Sequence, residues 1–112
     1  MFTITSVVAA DQNRPRVTGF FSDMHFVQEA GDVIGIEVWI AFARGSYWAT
    51  VQLAEGEPEV PIVVKALVNG DHIEFHLNEP NEDFKGRVVG DRLVGNLGAE
   101  RISLPRRRSY WQ

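Results

Sequence analysis

The feature that most constrains this chain is a punctuated alternation, in which short apolar/polar runs of period two are separated by turn dipeptides. Gly31-Asp32, Gly70-Asp71 and Gly90-Asp91 each lie between such runs, and Asn69-Gly70 is a strong hairpin signal in its own right. Period two sends alternate side chains to opposite faces of a strand, and a slip of one residue exchanges the faces. Each turn therefore dictates which residues meet across its hairpin.

Worked turn by turn, Arg44-Gly45 sets Phe42 against Tyr47, Ile40 against Ala49, Val38 against Val51 and Ile36 against Leu53. Gly90-Asp91 sets Val88 against Leu93, Gly86 against Gly95 and Phe84 against Leu97. Asn69-Gly70, taken as the loop, sets Ala66 against Ile73, Val64 against Phe75 and Ile62 against Leu77, with Lys65 opposite Glu74 on the other face. A two-residue loop at Gly31-Asp32 would turn Glu29 and His25 inward. A three-residue loop with a left-handed glycine instead aligns Phe26 with Ile36 and Met24 with Val38, and leaves His25 opposite Glu37 outside; this is the expected arrangement.

The fold expected is all-β: an antiparallel up-and-down meander of about eight strands, roughly 20–29, 33–43, 46–54, 60–68, 71–78, 84–89, 92–97 and 101–105. Helical periodicity is lacking. Closure into a barrel removes the exposed edges of such a meander, and a two-sheet β-sandwich is the alternative. The 112 residues form one domain, 1–112, with 1–13 as an N-terminal strand or cover segment and 106–112 as a basic, aromatic tail.

The stretch Val68-Asn69-Gly70-Asp71-His72-Ile73-Glu74-Phe75, with Phe84-Lys85-Gly86-Arg87-Val88 and Leu93-Val94-Gly95-Asn96-Leu97, resembles the calycin-like (lipocalin-like) small β-barrels. The similarity runs from Gly45 to Leu104. It is carried by "F-x-G-x-hydrophobic", "G-D" and "x-L-x-G" hairpins, found in barrel domains some of which precede serine hydrolase domains. The resemblance implies a fold and leaves activity to the site.

On the expected inner wall the side chains are apolar, including Phe20, Met24, Phe26, Ile34, Phe42 and Val60, and Ser22 and the Tyr47 hydroxyl supply the polarity. Acid–base or nucleophilic catalysis needs a titratable group, and none points inward, so the reading is a non-catalytic module without cofactor or metal. Ala49, Ala66, Gly86 and Gly95 form a small-residue wall beside Phe75, with Tyr47 as a polar handle. That wall either leaves room for a small apolar ligand or is filled by neighbouring rings. His72, Glu74 and His76 share a face at metal-ligand spacing, but Lys65, Lys85 and Arg87 are their expected neighbours, which makes the row a salt-bridge ladder.

Outside, Phe21, Trp39 and Trp48 are expected to form an aromatic patch with Ala41 and Lys65. Such a patch is normally covered: by the N-terminal segment, by Tyr110-Trp111, or by a second copy in a homodimer. The loops at Glu29–Asp32, Glu55–Glu59 and Asn78–Asp83 share one acidic rim, while Arg14, Arg16, Arg44 and Arg106-Arg107-Arg108 fall at the other end. A net charge of −4 argues against nucleic acid as a partner despite the basic tail. The absence of Cys removes disulfides and thiol chemistry. The opening Met1-Phe2-Thr3-Ile4 lacks the positive flank of a signal peptide, and no apolar run reaches the roughly 20 residues of a membrane helix. With Met1 as the natural start, the cytoplasm is the expected compartment. The functional expectation is a carrier of a small apolar ligand, with homodimerisation or protein interaction through the outer patch as the alternative.

Overall fold

A computed structural model describes residues 16–112; the expected cover segment 1–13 lies outside them. The described chain contains nine strands: β1 (Gly19–Ser22), β2 (His25–Val27), β3 (Asp32–Ala43), β4 (Ser46–Gly56), β5 (Ile62–Asn69), β6 (His72–Asn78), β7 (Asn81–Val89), β8 (Arg92–Leu97) and β9 (Glu100–Pro105). All are antiparallel in one sheet, ordered β1-β3-β4-β5-β6-β7-β8-β9, with β2 also paired to β3. The sheet curls until its ends meet. Phe21 bridges Arg106, and the Arg107 N–H donates to the Phe20 carbonyl at 3.1 Å. The result is a nearly closed barrel with one unsealed seam, not a sandwich.

Two hairpins form in the expected register. Phe42 faces Tyr47 and Ile40 faces Ala49 across Arg44-Gly45, and Val88 faces Leu93 and Gly86 faces Gly95 across Gly90-Asp91. Arg44 and Gly45 both have positive φ (54° and 78°), as a type I′ turn requires. The third hairpin differs by two residues. Its turn is Gly70-Asp71, so Asn69 faces His72, Val68 faces Ile73 and Ala66 faces Phe75. Glycine leads this turn at φ 65°, as it leads Gly90-Asp91 at 59°, the placement type II′ turns favour. An even shift preserves the faces, so the inward residues stay inward, but Glu74 now faces Leu67 rather than Lys65. The next connection is shorter than expected: Asn78 faces Asn81 around Glu79-Pro80, which starts β7 at Asn81.

The first hairpin departs most. Its loop is Gln28–Gly31, closed by the Gly31 N–H donating to the Val27 carbonyl at 2.9 Å, and the register pairs Phe21 with Val38 and His25 with Ile34. Relative to the expected pairing this is a shift of three residues, and an odd shift exchanges faces. Phe21 therefore lies in the core and Phe20 points out. The expected single strand is also broken at Asp23-Met24. Asp23 donates its N–H to the Ile36 carbonyl (3.1 Å) and accepts the Ile36 N–H with Oδ1 (2.8 Å), its side chain acting as a substitute backbone acceptor.

Inside, Phe21, Ile40, Ile73, Leu77, Phe84, Leu93 and Leu104 are fully buried. Phe26, Ile34, Phe42 and Val60, expected on the inner wall, are exposed. Ile34 and Phe42 lie toward the two ends of β3 and Val60 lies in the β4–β5 connection, beyond the level at which facing strands close over them, while the odd shift of the first hairpin turns Phe26 outward opposite Val33. The connections at 28–31, 57–61, Glu79-Pro80 and Gly98-Ala99 share one end of the barrel. Arg44-Gly45, Gly70-Asp71, Gly90-Asp91 and the start of the tail share the other. The strand order thus separates an acidic mouth from an arginine-rich end.

Candidate functional site

The small-residue wall is occupied by protein where its glycines lie. A Cβ on Gly86 would stand 2.5 Å from Phe84 Cζ and 2.9 Å from Gly95 Cα. The Phe84 ring stacks on Phe75 with centroids 4.9 Å apart, so the pair fills the barrel over the Gly86–Gly95 contact. Ala49, Ala66 and Phe75 are buried, and Tyr47 is half-buried near one end, edge-on to Phe42 at 4.8 Å.

The open space lies at the acidic mouth. β1 reaches the β9 side of the barrel at Phe21, but the break at Asp23 carries β2 away, and the seam opens between it and the start of β9. A cleft of about 610 Å³ occupies this opening. Its apolar lining comes from Ile34 and Ile36 of β3, Leu53 and Ala54 of β4, Leu97 of β8 and Ile102 of β9. Asp23, Glu55, Glu82 and Glu100 bring four carboxylates to it, against one guanidinium from Arg101. A second cleft of about 660 Å³ adjoins it, sharing Leu53, Glu55 and Pro80, and adds Glu59 and Glu79 with Val60 and Ile62. Pro80, at the tip of the β6–β7 turn, stands between the two. Glu55, Glu59, Glu79 and Glu82 were legible from the loop sequence as part of an acidic rim, whereas Asp23 and Glu100 were not. Nor was the seam, because it depends on where β1 meets β9.

On the outer face the aromatic patch has a different membership. Phe20, not Phe21, lies beside Trp39, with ring centroids 5.3 Å apart and planes 11° from parallel. Trp48 is half-buried, its indole N–H donating to the Ala43 carbonyl (3.1 Å) and the Lys65 ammonium over its ring at 5.7 Å. Trp39 remains 43% exposed, and Val63 further along the same cross-strand row is 63% exposed. The tail covers the neighbouring row. Glu37, facing Gln52 across β3–β4, accepts from the Ser109 hydroxyl (2.6 Å) and the Tyr110 N–H (2.7 Å), while the Trp111 indole N–H donates to Gln52 Oε1 (2.7 Å). Glu37 is thereby buried on the outside of the barrel, with both carboxylate oxygens satisfied. His25, its expected neighbour, instead points Nδ1 at the Asp23 carbonyl at 2.8 Å.

The polar side chains along β6 find their contacts on neighbouring strands and turns. The Arg87 guanidinium donates to Asp71 at 3.0 Å and holds that carboxyl below its ordinary range, with His72 2.9 Å from the same group. His76 contacts Asp83 at 2.6 Å, and Glu74 faces Lys85. Among the described residues, no group of three or more His, Asp or Glu side chains is placed to hold a metal ion, and no helix is long and apolar enough to cross a membrane. No family model, curated protein or solved structure matches this chain.

Proposed function

We propose that this protein is a non-catalytic, lipocalin-like binding module that takes a small, largely apolar ligand at the acidic mouth of the barrel. One observation carries the reading: the cleft of about 610 Å³ at the unsealed seam, floored by Ile34, Ile36, Leu53 and Ile102. Clefts of a few hundred Å³ with apolar walls and few polar groups suit small ligands. The packing of Phe84 over Gly86 favours the mouth over the deep interior. Ligand would enter without unpairing a strand, since β2 and the start of β9 leave the opening between them.

A second reading, association of two copies, is supported by the exposed row of Trp39 and Val63 beside the Phe20 ring. Native mass spectrometry on gently purified protein tests both. A small-molecule adduct on the monomer is expected, and Ile34→Ser, which removes apolar floor at a partly exposed position, is expected to weaken its retention about tenfold. A doubled mass without adduct would favour association through the outer row and overturn the carrier reading.

A further inference from the structure

We infer that the mouth of the barrel selects small amphipathic organic cations: an ammonium or amidinium head on an apolar body. The inference rests on the reading of the mouth as a ligand site and adds the charge of what it takes. Among the described residues, four carboxylates and one guanidinium line the seam cleft, and the adjoining cleft adds Glu59 and Glu79 with no cationic side chain. Glu55 belongs to both clefts, so the excess of negative charge is continuous across the mouth.

These carboxylates are held in different ways, and the difference locates the head group. Asp23 spends Oδ1 on the Ile36 N–H, and Glu82 lies against Gly98, where a Cβ would stand 3.2 Å from its Cγ. Glu55, near the end of β4, and Glu100, at the start of β9, both line the seam cleft, and among the described residues neither makes an ion pair. An ammonium beside these carboxylates would meet opposite charge at the edge of low-dielectric walls, where Coulomb attraction exceeds its value in bulk water. The same field opposes a carboxylate or phosphate head. The apolar body would then lie on Ile34, Ile36 and Leu53, displacing water from surface that is open in the free protein. A bare metal ion fits less well, because among the described residues no three ligating side chains converge there.

The test uses three probes of one chain length at monomeric concentrations: n-decylammonium, decanol and decanoate. Binding is followed by calorimetry and by backbone amide shifts of Ile34, Leu53, Leu97 and Ile102. The ammonium is expected to bind at least tenfold more tightly than the alcohol, and the carboxylate weakest. The preference should shrink between low and physiological ionic strength, and should collapse to less than threefold in Glu55→Gln/Glu100→Gln. The ionic-strength series on the unaltered protein stands independently should that double variant fold poorly. Equal affinity for ammonium and alcohol at the mouth overturns the charge selectivity and leaves the apolar-ligand reading standing. If none of the three probes moves those amides, the ligand reading falls and the inference with it.

Discussion

The two ends of the seam between the first and last strands make an instructive contrast. At the arginine-rich end the seam is sealed. Arg106 donates to the Thr18 carbonyl at 2.6 Å and to the Arg16 carbonyl, and its guanidinium lies over the Phe21 ring at 4.6 Å. Burial works against that charge and lowers its pKa, and carbonyls and ring together offset the lost hydration. At the acidic end, a few residues along the same strands, no bridge forms among the described residues. Asp23 caps Ile36 with its own side chain, the strand breaks, and carboxylates gather around the gap. Repulsion among them would oppose closure of the mouth, whereas a guanidinium and carbonyls draw the other end together.

This contrast can be broken most forcefully at Phe21. Phe21→Ala removes a fully buried ring from beneath the Arg106 latch and is expected to cost about 3–5 kcal/mol in denaturant unfolding; a loss under 1 kcal/mol would contradict its inward position. Arg106→Ala should cost less, about 2–3 kcal/mol, from charge-assisted hydrogen bonds lost with carbonyls left behind. Its diagnostic is local: hydrogen exchange should quicken in Gly19–Ser22 and at Arg107, with β6 and β7 unchanged. Uniform exchange across all strands would mean that Arg106 does not latch the seam.

The smallest expected effect sharpens the electrostatic side, at the Asp71–Arg87 pair. The Arg87 hydrogen bond depresses the Asp71 pKa in the folded state, so its stabilisation is present above the unfolded-state value of about 3.9 and is lost as pH falls through the folded value. The pair is exposed to solvent, so the contribution is small and salt-sensitive. Arg87→Gln should flatten the acid limb of stability against pH and leave neutral stability nearly unchanged. An acid limb identical to that of the unaltered protein would remove the pair from the account.

The hairpins differ in how much of them could be read in advance, and the reason is the range of the forces involved. β3–β4 and β7–β8 formed as expected because a two-residue turn and two alternating flanks settle a register between them. β5–β6 slipped by two because Asn69-Gly70 and Gly70-Asp71 both make acceptable turns and both keep the same faces. Glycine leading, as at Gly90-Asp91, was the available signal. The first hairpin was not legible. Its loop length answers to the burial of Phe21 against Arg106, a contact between the two ends of the chain. Glu37 is a similar case: alternation places it outside, and the tail that buries it arrives from far along the sequence.

From sequence alone followed the all-β meander, the inward face of most strands and the charge difference between the barrel's ends. These depend on alternation, turn chemistry and loop composition, which act between near neighbours. Tertiary structure alone decided that Phe21 turns in and Phe20 out, that the tail clamps Glu37 and Gln52, and that the seam opens into the cleft at the mouth. Each of these depends on how the first and last strands meet when the sheet curls, and no local turn carries that information.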